Sequence, residues 1–592
     1  MLLVGKSQSR PLSVRPISYD LIMASLTAKK INGRTYYYLR ECAWVDGRPK
    51  IVRTKYLGTA EAVAAALEGA PTPGVQVRDE APVLEFGAVA ALHDLATRLG
   101  VVEIIDRHVP KQPRGGPSVG TYLLLAGLNR CVAPTSKAQL ARWYQGTVLP
   151  RRVKVKPAQL SSQRFWENMD RVSEEALIKV ERDLAVRAFQ DFGLDRECLF
   201  YDATNFFTYV DSFNDRASLP QRGKSKDGRS NLRILGLALL VTSDFQVPLF
   251  HQLYAGNQHD APTFRGVLTE LVERYRLVAG GAEGVTLVFD KGNNAEDTIG
   301  ELADSPFHFV GSLVPTQHPD LLEVSRCRMR RLDESIFSSE VLAHRTTKKV
   351  FGRDLAIVVT WNANLAESQA KTIEREAGKR SAKLGKYQRY LARWRRGKGK
   401  GRRPTVASTE KAVAKILNGR HMKDLFTVTI TKDSASNLPV LRYRFDTTAY
   451  ARLQRTLLGK TLIFTDNSSW TDEKIVLAYR GQHHVEAAFR QMKDPHHVAF
   501  RPAFHWTDQK LRVHAFCCVL ALLLCSLLRR ELSKKGHELS VNRMLATLST
   551  IREVHVLLSS GRGRPRTKRI HSKLDSAAEE LFTALDLARW LR

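Results

Sequence analysis

Acidic residues are the shortage that shapes this chain most. Its 592 residues hold 60 Asp and Glu against 92 Lys and Arg, a formal charge of +32. A balance so lopsided argues against a basic partner and favours a polyanion, because neutralising phosphates releases condensed counterions. The weaker alternatives on charge alone are an anionic membrane surface and a merely basic soluble protein. Cysteine is sparse as well. The seven, at 42, 131, 198, 327, 517, 518 and 525, form no paired Cys-x-x-Cys units. That argues against a zinc scaffold and suits free thiols in a reducing compartment. Long apolar runs are missing too. The most hydrophobic stretch, Val513 to Leu528, has 16 residues, includes His514 and Ser526, and is bracketed by Arg512 and Arg529. A membrane span needs about 20 apolar residues, so a buried helix is expected there. The first 22 residues lack the continuous apolar core of a signal peptide, and Met23 is an alternative start. The expected setting is the cytoplasm, without a membrane partner.

What is present suits three or four domains, since one compact core does not grow to this length. Residues 35 to 57 alternate aromatic or β-branched with polar side chains around Asp46-Gly47, a β-hairpin pattern. Helical periodicity follows over Phe86 to Leu99, Val119 to Cys131, Thr135 to Tyr144 and Ser161 to Phe189. Arg142, Arg151, Arg152, Lys154 and Lys156 cluster there, so this helical region is a candidate DNA-reading surface or a solvated scaffold.

After Leu199 the pattern becomes Leu199–Tyr209, Arg233–Val241 and Val247–Tyr254 as strands. A helix over Ala261–Leu277, a strand at Val285–Phe289, a helix near Ala295–Ala303 and a strand at Phe307–Leu313 follow. This βββαβαβ order describes an RNase H-like sheet, though other α/β folds share part of it. Residues 320 to 470 interrupt it with short strand candidates around a basic helical run. Lys371 to Arg403 holds 14 Lys or Arg and two acids, with Tyr387, Tyr390 and Trp394 interleaved. That composition marks Arg393, Arg395 and Arg396 as phosphate contacts. Helical sequence resumes after Trp470 through about Lys534. Near the end, Arg562-Gly563-Arg564-Pro565-Arg566 is similar to an AT-hook core, with Arg562 and Arg564 as minor-groove candidates; so short a motif also fits a basic linker.

Three acids carry the chemistry. Asp202 interrupts the apolar strand Phe200-Tyr201-Asp202-Ala203-Thr204, where an unpaired carboxylate is costly. Asp290 ends the strand Val285–Phe289. Glu486 lies seven residues after Tyr479 and seven before Lys493, nearly two helical turns each way, so the three share one face with Gln482, His483 and Arg490 near it. Each acid alone also reads as a turn former or surface charge. Three carboxylates together are hard oxygen ligands that select Mg²⁺, with Mn²⁺ substituting. Two such ions about 4 Å apart activate a water or 3′-hydroxyl and stabilise the leaving oxygen.

The spacing of Tyr479, Gln482, Glu486 and Lys493 resembles the Tyr-Arg-Glu-Lys signature of DDE transposases in the insertion-sequence-four superfamily. Phe200–Thr204 and Leu287–Gly292 are similar to the strands that carry that family's two aspartates, and Gly256–Asp260 to a segment after its third strand. Tyr56-Leu57-Gly58 and Phe86-Gly87 resemble its long-chain bacterial branch. The resemblance covers roughly residues 35 to 535. It implies an RNase H-like, retroviral-integrase-type catalytic core at 191–320 and 471–535, with a β-rich insertion at 321–470. A hairpin and helical DNA-binding region at 1–190 and a basic tail at 536–592 complete the layout. Asp202, Asp290 and Glu486 would hold two metal ions, and Tyr479 and Lys493 would contact terminal phosphates of double-stranded inverted-repeat DNA. Pairing two ends implies a homodimer. An insertion-domain tryptophan, Trp361, Trp394 or Trp470, would support a hairpin intermediate. Gln482 departs from the family's arginine and removes a cation. That departure keeps open a transposase-derived binder without catalysis, and the shared fold keeps open a nuclease that does not join strands.

Overall fold

The computed structural model describes residues 23–60 without 32–33 and 46–47, 82–258 without 111–114, 212 and 224–230, and 284–592 without 338, 502 and 559–565, together with 265, 266, 270, 274 and 275. Most of the expected helix over 261–277, the Asp46-Gly47 turn, and Arg562 and Arg564 therefore lie outside the described residues.

The chain begins with an antiparallel sheet of β1 (Met23–Ile31), β2 (Arg34–Val45) and β3 (Arg48–Gly58). The hairpin pattern accounts for β2 and β3. β1 joins them because its own alternation places Leu26 and Ala28 on the inner face, packed with Tyr37 and Leu57. After β4 (Val83–Glu85) come α1 (Gly87–Arg98), α2 (Val101–His108), α3 (Val119–Val132), α4 (Leu140–Gln145), α5 (Ser162–Met169) and α6 (Glu174–Phe192). Serine hydroxyls set three of these starts, with Ser118, Ser161 and Ser173 accepting from the amides of Thr121, Arg164 and Ala176. The helix expected from residue 135 opens as a 3-10 turn, Lys137–Gln139, before α4. The helical region expected to Phe189 comprises two helices, α5 and α6, divided at residues 170–173.

The central sheet follows: β5 (Cys198–Phe207), β6 (Ile234–Thr242), β7 (Pro248–Ala255), β8 (Thr286–Phe289), then α7 (Glu296–Ala303) and β9 (His308–Ser312). Their spatial order is β7-β6-β5-β8-β9, with antiparallel pairing from β5 to β7 and parallel pairing from β5 through β8 to β9. This mixed α/β arrangement is consistent with an RNase H-like fold. All nine residues of β6 are buried, which is why it reads as an unbroken apolar run.

Residues 321–470 divide between two cores. β10 (Arg330–Arg331), β11 (Val341–Val350), β12 (Arg353–Asn362) and, from the far end of the segment, β15 (Lys460–Thr465) extend the central sheet to nine strands, because β15 pairs antiparallel with β9. Between β12 and β15, α8 (Ala363–Arg395), α9 (Val406–Ile416), β13 (Phe426–Lys432), β14 (Pro439–Phe445) and α10 (Thr447–Thr456) form a small lobe around Leu384, Leu391, Leu425 and Leu441. The basic run is thus the long α8, anchored on one apolar stripe.

Three helices close the central sheet: α11 (Asp472–Arg480), α12 (His483–Lys493) and α13 (Asp508–Lys534). Among the described residues α13 alone is long and apolar enough to cross a membrane, and 94% of its most apolar window is buried inside the protein. Residues after 535 fold as α14 (Val541–Ser549), β16 (Arg552–Leu558), β17 (Arg566–His571) and α15 (Ser576–Ala584). They differ from the expected tail because β16 finds a partner far back in the chain: it pairs with β4, and Arg151 grips the fully buried Glu553 with two hydrogen bonds of 2.6 and 2.7 Å.

Candidate active site

The site is built on the register of three neighbouring strands. β5 and β8 run parallel with Tyr201 opposite Phe289, and β8 and β9 run parallel with Val288 opposite Val310. Continuing that register brings Asp202, Asp290 and Ser312 into one row, on strands about 4.8 Å apart. Asp290 keeps extended backbone, φ −85° and ψ 158°, so it prolongs β8 before the 3-10 turn Lys291–Asn293 begins. Both aspartates are half-buried. Asp202 Oδ1 accepts the Ala203 amide at 2.7 Å.

α11 and α12 roof this row. Strand alternation puts Phe200, Asp202, Thr204 and Phe206 on one face of β5, and each neighbour of Asp202 on that face touches the roof. The ring of Phe200 lies 5.3 Å from that of His484. Thr204 Oγ1 lies 3.1 Å from Lys493 Nζ, which donates to it. The Lys493 ammonium also stands 5.7 Å from the Phe206 ring centre. Asp202 therefore lies beneath the middle of α12, the stretch that carries Glu486. Glu486 itself is exposed.

The expected continuous helix from Tyr479 to Lys493 is broken at Gly481-Gln482. The backbone comes close to β5 there. A Cβ on Gly481 would stand 2.4 Å from Cζ of Phe200, so only glycine lets the helix pair seat directly on β5. Gln482, at the break, has a buried Nε2 without a hydrogen-bond partner. His483 Nδ1 lies 2.8 Å from the Arg480 carbonyl, and Arg490 is exposed.

Tyr479 closes the other end of the row. Its hydroxyl donates to Ser312 Oγ at 2.8 Å. Burial pushes its phenol above the ordinary range, and the negative charges of Asp290 and Glu486 push the same way. One phenol thus senses two of the three acids. His484 is driven down to about 4, mainly by burial, then by His483 and Arg529. Among the described residues, however, no three His, Cys, Asp or Glu side chains stand close enough to hold one ion. Mutual repulsion of carboxylates opposes their convergence without a cation.

Beside Asp290 opens a cleft of about 460 Å³ between the sheet and the small lobe. Tyr479, Lys291, Lys460, Arg380, Arg420 and Glu376 are among its lining residues. Sequence reasoning missed this basic wall and Ser312. Ser312 ends an apolar strand as Asp290 does, a signal that was readable once the two strands were paired. Arg393, Arg395 and Arg396 lie at the C-terminal end of α8, Arg393 and Arg396 exposed and Arg395 half-buried. Of the three tryptophans, Trp470 is buried with Lys474 over its ring, Trp361 carries Arg326, and Trp394 lies under Gly399.

No family model matches the chain, and no curated protein matches it. Among solved structures it is similar to the piggyBac transposase in a cryo-EM structure of its synaptic complex with hairpin DNA. That likeness has a TM-score of 0.34 at 9% identity, over 78% of this chain and 80% of that one. A likeness this loose carries neither fold nor activity from one protein to the other.

Proposed function

We propose that the chain is a DDE transposase, cutting DNA at the terminal inverted repeats of an insertion sequence and joining the ends to target DNA. One observation carries this reading: Asp202 and Asp290 occupy adjacent positions on adjacent parallel strands, under a helix pair that bears Glu486, Tyr479 and Lys493. Two half-buried carboxylates side by side, with a hydroxyl next in the row and no thiol or imidazole among them, are the donor chemistry of a hard divalent ion. Asp202 and Asp290 would hold Mg²⁺ or Mn²⁺, and Glu486 would complete the set by turning its exposed side chain inward. When bound, two such ions supply an activated nucleophile and stabilise the leaving oxygen.

The chain's own groups do the rest. Lys493 and Arg490 offer cations to the phosphates flanking the cut, and Tyr479 places a phenol at the row's edge. Its raised proton affinity keeps it a donor at neutral pH. Arg393, Arg395 and Arg396 extend the basic surface outward. Gln482 lacks the charge of an arginine and keeps its Nε2 buried, so this position grips the DNA end more weakly than an arginine would. Two protomers would hold two ends, in the cytoplasm at the nucleoid.

The test supplies a pre-cut 3′ end, target DNA and Mg²⁺ to the purified protein. Joined products are expected, and Asp202→Ala, Asp290→Ala and Glu486→Ala should each lower joining by on the order of 10³-fold. Calorimetric titration with Mn²⁺ gives a readout independent of activity, and each substitution should abolish or weaken it. Hydrolysis without joining would replace this reading by a nuclease. Retained joining in any alanine variant would refute the metal assignment. A DNA-binding protein without catalysis is favoured by Gln482 and by the ungrouped acids, and it predicts DNA binding with no Mn²⁺ heat.

A further inference from the structure

The helical region before residue 190 was expected as a candidate DNA-reading surface or a solvated scaffold, and part of it is committed elsewhere. α3 is buried along nearly its whole length. Two of the nearby basic residues are engaged, Arg151 with Glu553 and Arg152 over the Trp590 ring, while Lys154 and Lys156 are exposed. The sheet β1–β3 stands apart from that core. Its three strands carry eight Lys or Arg and a single acid, Glu41.

The two faces of this sheet differ. The inner one buries Leu26 and Tyr37 against Val556, with Ala28, Leu57, Val554 and Ile570 around them. Register then fixes the outer one, because residues directly opposite on antiparallel strands share a face. Thr27 stands opposite Tyr38, Lys29 opposite Tyr36, Ser25 opposite Arg40, and Tyr38 and Arg40 opposite Tyr56 and Thr54. Glu41, opposite Arg53, belongs to the inner face, as do Lys30 and Lys55. The outer face thus holds Lys29, Arg40, three tyrosines, Ser25, Thr27 and Thr54, with no acid. Tyr56 is 57% exposed, and its ring packs against those of Tyr38 and Tyr36 at 5.3 and 6.1 Å. Arg40 is half-buried, and its Nε, shielded from solvent, has no hydrogen-bond partner.

We infer that this outer face docks on duplex DNA, and the claim rests on the transposase reading above. Three strands about 4.8 Å apart span roughly 10 Å between the axes of the outer two, wider than the two-stranded ribbon a major groove about 12 Å wide admits, so the face lies across the duplex backbone rather than filling a groove. Chemistry agrees, since Lys and Arg neutralise phosphates while Ser, Thr and Tyr hydroxyls position the backbone. The tyrosines pack on one another, so they stiffen the face and present hydroxyls.

The experiment measures binding of the full chain to a labelled duplex in EDTA across a salt series, comparing it with Lys29→Ala/Arg40→Ala. Each lost phosphate contact lowers the slope of log affinity against log salt by about 0.9, so a drop of about 1.8 is expected, with affinity at physiological salt lower by on the order of tenfold. In parallel, Tyr56→p-benzoylphenylalanine in the otherwise intact chain should photo-crosslink to duplex. A variant with unchanged melting temperature, affinity and slope would overturn the proposal. So would crosslinks confined to RNA or to a second copy of the chain. If the parent binds through this sheet yet never joins strands, the transposase reading falls and the sheet assignment stands. If it joins strands while the double variant keeps its slope, only the sheet assignment falls.

Discussion

β6 and β1 are both strands of nine residues, and they do opposite work. Every residue of β6 is buried between β5 and β7. In β1, an edge strand, Leu26 is the one buried residue among the described side chains. The first is covered on both faces and can spend its whole length on apolar packing. The second is covered on one face only, so alternate positions are free to carry lysine and hydroxyls. The contrast teaches where this molecule keeps stability and where it keeps surface. Backbone pairing is common to both; side-chain burial separates them.

Three substitutions break or sharpen that contrast. Leu240→Ala, in β6 and fully buried, should cost about 2–5 kcal/mol through lost transfer energy and a cavity. A denaturation midpoint that scarcely moved would remove the claim that β6 is the stabilising strand. Gly481→Ala tests how tightly the roof seats on that sheet. Its methyl meets the Phe200 ring, and overpacking of this kind costs about 1–3 kcal/mol. Phe200→Leu in the same chain should recover part of the loss, and failure to recover any would point to a cause other than that contact. Thr54→Ala, on the outer face of the N-terminal sheet, should leave stability within about 0.5 kcal/mol. A larger fall in melting temperature would mean that this face is packed against something.

The same difference explains what could be read beforehand. β5, β6, β8 and β9 announce themselves as apolar runs because both their faces are covered, and Asp202 and Asp290 stand out because they interrupt or end such runs. β15 is equally apolar, yet nothing local says that it pairs with β9, some 150 residues earlier. That choice belongs to the three-dimensional fit of Ile463 opposite Ser312. The break at Gly481 was hidden for a similar reason. Residues 479 to 493 have good helical spacing, and only the ring of Phe200, far away in sequence, makes position 481 special. The C-terminal strands were missed because β17 is basic and reads as part of a tail, and β16 becomes a strand by meeting β4.

That last meeting has a consequence for how the molecule comes into being. Arg151 and Glu553 are separated by some 400 residues, and β4 waits for β16 across a comparable span. While the ribosome is still translating, the first helical region has neither its third sheet layer nor the carboxylate that neutralises Arg151. Its completion comes only with the final stretch of synthesis. Products of premature termination would therefore lack a finished front end as well as a back end, and a released fragment would expose the bare edge of β4 and an uncompensated guanidinium.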